Sequence, residues 1–193
     1  MNIKMEKRMY FFVPYQLTGI QQGIQCGHAA LEYANRFHES ELFQDFVNNW
    51  KTWIVLNGGT TNVGYQGLNK GSLNQIYDSI LFYNVEARLD DKIDVEKFFE
   101  PDLNDAMTAI CFICDEQVFN KDLYPDFIDF VMNIKMYPEA RKTISKEKEK
   151  GLKSLTNSDY KRIFPEYYEE WLELIGGPKT AFLKELTNGK KLA

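Results

Sequence analysis

The chain lacks the features that mark membrane, exported and disulfide-stabilised proteins. No apolar run approaches the ~20 residues that a bilayer-spanning helix needs, and the first residues carry no apolar export signal. The three cysteines, Cys26, Cys111 and Cys114, are too few and too clustered for a disulfide framework. We therefore expect free thiols, no membrane partner and a soluble protein of the cytoplasm.

Metal-site and catalytic signatures are also scarce. The two histidines, His28 and His38, have no zinc-site spacing with the cysteines. Cys111 and Cys114 form a CxxC pair, but they lie in a predicted strand, where residues three apart face opposite sides. The sequence has neither a Ser–His–Asp arrangement with local support nor the GxxxxGK[ST] of a P-loop. We expect no metal and no cofactor.

The charge balance limits the class of ligand. A formal net charge of −5 argues against broad nucleic-acid binding, because phosphate backbones are bound by clustered lysines and arginines. A small anionic ligand held by local hydrogen-bond donors remains compatible with this charge.

Apolar runs and alternating patterns predict an α/β fold. The runs MYFFV, TWIVL and MTAICFI fit buried strands, and a short alternating segment fits another. Periodic apolar residues indicate helices between them. The predicted strands are 9–13, 52–56, 85–89 and 107–113, and the helices are 20–37, 41–50 and one that begins at Ser72. This order predicts a mixed four-stranded sheet flanked by helices.

Beyond the fourth strand the pattern becomes helical and charged. We predict one α/β domain over residues 1–118 and a helical extension over residues 119–193. Residues 141–157 are rich in charge and lack apolar periodicity, which predicts a linker. Two terminal helices are expected at 159–175 and 178–186, separated by two glycines.

The first helix has two contrasting faces. Gln21, Gln25, His28 and Glu32 follow one stripe at spacings of four, three and four, whereas Ile20, Ile24 and Leu31 form an apolar stripe that we expect to pack on the sheet. A solvated surface is the ordinary interpretation of the polar stripe. Amides and an imidazole near a helix N-terminus favour a ligand-binding role instead. His28 could act as a general base or as a structural hydrogen-bonding group.

One run of the sequence, YFFVPYQLTGIQQGIQCGHAALEY, is similar to part of a known family. It resembles the opening of the archaeal and eukaryotic type of peptidyl-tRNA hydrolase, where a helix patterned GKxAAQxxHA follows a strand and a loop. Gln25, His28 and Ala29 match the pattern's Gln, His and Ala, and the likeness covers roughly the first 115 residues. It implies this family's fold, a homodimer, and tRNA as a partner if the activity is kept.

Two departures separate the chain from that family. Gln21 stands where the family carries its catalytic lysine, and glutamine cannot supply a positive charge. The acidic DAGxT segment after the third strand has no clear counterpart, since Asp90 and Asp91 continue into KIDVEKFFEP. The resemblance therefore implies a related scaffold used for a different purpose.

Three functional hypotheses follow. The first is a protein that binds a small nucleotide-like ligand, for instance a viral accessory protein that sequesters or degrades a nucleotide signal in the host cytoplasm. Backbone N–H groups bind phosphates, side-chain amides bind the edges of bases, and aromatic rings stack on bases. The loop 57–71 contains five glycines among polar residues, which leaves backbone donors accessible. The expected ligand-binding residues are Tyr15, Gln21, Gln25, His28, Asn57, Thr60, Thr61 and Asn62.

The second hypothesis is a hydrolase of peptidyl-tRNA or of a related nucleotide ester. His28 or Asp90 would then replace the missing lysine as the catalytic group. The third hypothesis is a protein-interaction module in which the terminal helices dock on a partner. Its docking residues would be Tyr167, Tyr168, Trp171, Leu172 and Phe182.

Overall fold

The computed structural model describes residues 4–61, 71–135, 142, 145–146 and 156–193. The chain forms two compact units. The first runs to Glu116 and also contains Glu185–Ala193, and the second is Gln117–Lys184. The division falls close to the predicted boundary after residue 118, but the last residues belong to the first unit.

The first unit contains the whole sheet. Its elements are β1 (Lys7–Pro14), α1 (Gly19–Phe37), α2 (Glu41–Asp45) continuing as a π-helix (Phe46–Trp50), β2 (Thr52–Gly59), α3 (Ser72–Glu86), β3 (Val95–Glu100), β4 (Ala106–Asp115) and the first residue of α4 (Glu116–Phe119). The strand order is β2-β1-β4-β3, with β1 and β2 parallel and the other two pairs antiparallel. The predicted mixed four-stranded sheet with flanking helices is thus confirmed.

The two central strands, β1 and β4, are buried along almost their whole length. In β1 every residue from Met9 onwards is buried, and in β4 only Asp115 is not. One face of the sheet, including Phe11 and Cys111, packs against α1 and α2. Strands buried on both faces appear in sequence as continuous apolar runs, which is why these two were predictable.

The prediction that the apolar stripe of α1 packs on the sheet is wrong. Ile20 and Leu31 are 81% and 70% exposed, and Ile24 is also exposed. The buried residues of the helix are Gln22, Gln25, Cys26, Ala29 and Tyr33. Small side chains bring the helix close to the sheet, so close that Cys111 Sγ donates a hydrogen bond to the carbonyl oxygen of Ala29 at 3.3 Å.

The predicted third strand at 85–89 is also wrong. Helix α3 continues to Glu86, and a 3₁₀ turn follows at Leu89–Asp91. Asn84 fixes the chain after this turn, because its side-chain amide donates to Ile93 O at 2.9 Å and its side-chain oxygen accepts from Ile93 N at 2.8 Å. The true third strand is the charged segment VEKFFE, an edge strand in which Val95 alone is buried.

The second unit is helical and has its own core. Its elements are the rest of α4, α5 (Phe127–Asp129) continuing as a π-helix (Phe130–Lys135), α6 (Asn157–Ile163), α7 (Pro165–Ile175) and α8 (Pro178–Thr187), which extends into the first unit. The helix predicted at 159–175 is divided, because Pro165 begins a new helix at a position where no amide N–H is needed. Most of the predicted linker 141–157 lies outside the described residues.

Aromatic residues of the terminal helices build this second core. Trp171 is buried, and its indole N–H donates to Pro125 O at 2.8 Å. Tyr167, Tyr168 and Leu172 pack against the same cluster, and Phe182 is partly buried. Lys184 is also buried, where its ammonium donates to the carbonyl oxygen of Tyr124 at 2.6 Å. Most of the side chains expected to dock on a partner are therefore used inside the unit.

No helix in the described part of the chain is long and apolar enough to cross a membrane. All three cysteines are buried free thiols.

Burial of a thiol and a phenol in the first unit predicts a loss of stability at high pH. Burial raises the pKa of the Cys26 thiol from 9.0 to about 12 and that of Tyr10 from 10.0 to about 12. Between pH 9 and 12 the unfolded chain therefore releases protons that the folded chain retains, so the free energy of unfolding falls as the pH rises. In Cys26→Ala this fall should be shallower. Urea unfolding under reducing conditions at several pH values measures both slopes, and equal slopes would contradict the assignment.

Candidate functional site

The N-terminus of α1 is closed by a capping box. Thr18 Oγ1 accepts from Gln21 N at 3.4 Å, and Gln21 Oε1 accepts from Thr18 N at 2.9 Å and from the Thr18 hydroxyl at 3.1 Å. Such a box satisfies amide donors that the first turn of a helix leaves free. The residue at the family's lysine position thus has a local structural partner, although its side chain is exposed.

Gln25 joins α1 to two neighbouring strands, β4 and β3. The hydroxyl of Thr108 on β4 donates to Gln25 Oε1 at 2.6 Å, and Gln25 Nε2 donates to Glu100 Oε2 on β3 at 2.6 Å. A carboxylate only accepts, so Glu100 fixes the orientation of the amide. We call this chain of three residues the Gln25 bridge.

A β-bulge makes the Gln25 bridge possible. Phe98 pairs with Ala109, but the next residue, Phe99, pairs with Met107, so Thr108 is an extra residue in the ladder. Side chains normally alternate between the faces of a sheet, and a bulge re-aims one of them. Thr108 consequently reaches Gln25 on the same face where Ala109 packs beneath α1.

His28 lies one turn further along α1. Its ring is partly buried and sits 4.5 Å from the ring of Phe98, centroid to centroid. Its Nδ1 atom is buried and has no hydrogen-bond partner among the described residues. An unpaired buried polar atom costs roughly 1–3 kcal/mol, so it calls for a functional or solvent-based explanation.

The ends of β1 and β2 lie next to this part of α1. Gln22 is buried, and its side-chain amide donates to Pro14 O at 3.3 Å. Tyr15 extends the strand pairing through its backbone N–H, which donates to Gly59 O at 3.0 Å, while its side chain is exposed. Asn57 Oδ1 accepts from Gly59 N at 2.7 Å and so stabilises the turn that leaves β2.

Thr60 and Ser72 hold together the two ends of the glycine-rich loop. Ser72 Oγ accepts from Thr60 N at 2.8 Å, and Thr60 Oγ1 accepts from Ser72 N at 3.2 Å. The N-cap of α3 is Gly71, and the helix begins at Ser72. Thr61 Oγ1 is buried without a partner among the described residues, and Asn62 lies outside the described residues.

The structure separates Asp90 from the other candidates. Strand β3 begins at Val95, opposite Phe112, and ends at Glu100, opposite Ala106. Asp90 precedes this strand, so it belongs to the opposite end of the sheet from the Gln25 bridge, and it is exposed. Glu32 is exposed too.

Glu100 is the site residue that the sequence did not reveal. It is the last residue of the third strand, and only a correct placement of that strand brings an acidic side chain to α1. Its second carboxylate oxygen accepts no hydrogen bond from the described residues and is able to accept one from a ligand. The described residues contain no cluster of three or more His, Cys, Asp or Glu side chains suited to a metal ion.

No protein-family model matches the chain, and no curated protein matches it. The likeness to peptidyl-tRNA hydrolases therefore rests on the residues quoted above and stays a prediction. The features of the structure that bear on function are the Gln25 bridge, His28 and the strand ends beside them.

A double-mutant cycle tests the Gln25 bridge. Thr108→Val keeps the shape of the side chain but leaves the buried Gln25 carbonyl without its donor, which should lower the free energy of unfolding by about 1–3 kcal/mol. Combined with Gln25→Leu, the two losses should be non-additive by about 0.5–3 kcal/mol. Thr52→Val on the exposed start of β2 is the matched control and should change stability by less than about 0.5 kcal/mol. Additive losses would show that the bridge contributes no coupling.

Proposed function

We propose that this protein binds a small nucleotide-like ligand beside the Gln25 bridge, at the end of the sheet where β1 and β2 finish. The observation that carries the proposal is the buried, unpaired Nδ1 atom of His28 next to this bridge. A polar atom kept in the interior without a partner favours a role in binding over a role in stability.

The position of the site supports the proposal. Strand β1 lies between a parallel and an antiparallel neighbour, and α1 begins the crossover to the parallel one. In α/β sheets, ligands bind outside the carboxyl ends of parallel strands. The exposed ring of Tyr15 follows β1 at this end, and aromatic rings provide stacking surfaces for bases.

The chemistry of the site favours capture of a ligand over its cleavage. Glu100 is an acceptor suited to base amino groups and ribose hydroxyls, and Gln25 holds it in place. The uncharged Gln21, held in the capping box, stands where the hydrolases that the sequence resembles carry a cation. Binding without turnover is the behaviour expected of a protein that sequesters a nucleotide signal, and this is the biological role that we propose.

Ligand release and thermal shift test the binding function. Mass spectrometry of the small molecules released on denaturation should detect a nucleotide. Cyclic dinucleotides and ADP-ribose derivatives form the panel for thermal shifts. A ligand present at 100 times its Kd stabilises the fold by about 2.7 kcal/mol, or roughly 5–10 °C in Tm for a chain of this size.

The two histidines provide a matched pair of variants. His28→Ala should reduce the ligand-induced shift to about a third or less, since it removes the ring beside Phe98. His38→Ala should leave the shift unchanged, because His38 is exposed after the end of α1. Absence of a nucleotide in the released material, together with no shift across the panel, would sink the proposal.

The Glu100 carboxylate favours a second candidate, a hydrolase of peptidyl-tRNA or a related nucleotide ester. Glu100 and His28 both lie where α1 contacts β3. A carboxylate with an imidazole is a common acid–base combination. Under this candidate tRNA becomes a partner. Catalysis would use Glu100 where the sequence suggested Asp90.

Matched carboxylate variants distinguish the hydrolase from the binding protein. Glu100→Gln should lower turnover of peptidyl-tRNA by roughly 10²-fold or more, the usual contribution of general acid–base catalysis. Asp90→Asn should leave turnover unchanged. Intact substrate after incubation with an excess of the wild-type protein would exclude the hydrolase for that substrate, whereas equal losses in both variants would exclude the role of Glu100.

A further inference from the structure

Strand β2 forms one edge of the sheet, and the described residues cover only part of that edge. Leu192 forms an antiparallel bridge with Leu56. Asn57 N donates to Lys191 O at 2.9 Å, and Ala193 N donates to Val55 O at 3.0 Å. We refer to residues 190–193 as the tail segment. Its position shows that the β2 edge has the geometry to accept an extended strand.

The tail segment is held weakly. All its side chains are exposed, and that of Leu192 is 75% exposed, so its contact with the edge depends on the two backbone hydrogen bonds. A hydrogen bond contributes about 0.5–1.5 kcal/mol net to stability. A competing strand that makes the same two bonds and a few more can therefore displace it.

The part of the edge that no described residue covers offers those additional contacts. In a strand, the N–H and C=O of every second residue point to the same edge. The backbone groups of Trp53 therefore point to the same edge as those of Val55 and Asn57. The tail segment pairs no further than Val55. The indole of Trp53 is 45% exposed and rests on the ring of Phe11 at a centroid distance of 4.7 Å, which gives a supported aromatic surface beside the edge.

We propose that the β2 edge is a docking site for an extended peptide, which adds a strand antiparallel to β2 and displaces the tail segment. The peptide carries an apolar residue opposite Leu56 and, three residues later, an aromatic or β-branched residue opposite Trp53. Basic flanking residues suit it, since the tail segment begins with two lysines and the chain has a net charge of −5. This docking surface does not require the proposed ligand function, although Asn57 borders both surfaces.

A synthetic peptide tests the proposal on the full chain. Its sequence is Lys-Lys-Leu-Ala-Thr-Tyr-Thr-Lys, in which the first four residues copy the tail segment and the tyrosine falls opposite Trp53. Fluorescence anisotropy measures its affinity. Hydrogen exchange should show increased protection of the amides of Trp53 and Val55 when the peptide is bound.

Two pairs of matched variants make the test specific. Ala193→Pro removes the N–H that bonds Val55, so the tail competes less well and the peptide should bind about fivefold more tightly. Ala193→Ser keeps the N–H and should bind as the wild type does. Trp53→Ala should weaken the peptide about threefold, and Trp53→Phe should restore most of the affinity.

Three outcomes would overturn the proposal. The first is no binding to Ala193→Pro at about 1 mM peptide. The second is equal affinity for Ala193→Pro and the wild type, which would show that the tail segment does not compete. The third is undiminished binding of a control peptide with proline in place of its alanine, which would show that backbone pairing is not involved. If Trp53→Ala unfolds, the Ala193 pair and the control peptide still decide the question.

Discussion

The hydrogen bonds of Gln25 fix how α1 lies on the sheet. A buried amide has to find partners for both its oxygen and its nitrogen, because an unpaired one costs about 1–3 kcal/mol. Thr108 and Glu100 supply them from two different strands, and they do so only when Gln25 faces the sheet. The same rotation buries Cys26, Ala29 and Tyr33 against the sheet, so the amide and the apolar contacts favour one orientation. Ile20 and Leu31 then face outwards, although burying one such side chain favours folding by about 1.5–3 kcal/mol.

This constraint explains which parts of the fold the sequence predicts. Strands β1 and β4 are buried on both faces, so their apolar runs are unambiguous, and β2 is recognisable from its β-branched and aromatic residues. Periodicity fails for α1 because it assigns the aliphatic stripe to the core. The helix instead packs through small residues and the amide of Gln25, whose partners lie 75 and 83 positions further along the chain.

The candidate site is less predictable than the fold for the same reason. Gln25 and His28 follow from their position in a motif, whereas the acidic group that the sequence offers for catalysis is Asp90. Glu100 reaches Gln25 because β3 begins later than expected and because a bulge turns Thr108 towards the helix. Neither feature has a local signal in the sequence. Gln21 shows the opposite effect, since its motif position suggests a ligand while its spacing from Thr18 already indicates a capping box.

Asn57 connects the two surfaces at this side of the sheet. Its backbone N–H bonds the tail segment, and its side-chain oxygen bonds the amide of Gly59, where β2 turns into the glycine-rich loop. Gly59 in turn accepts the N–H of Tyr15 beside the start of α1. A strand that replaces the tail segment has to provide the same acceptor to Asn57, or the backbone at this turn loses a bond. The occupant of the β2 edge and the geometry of the loop beside the candidate site therefore depend on one residue.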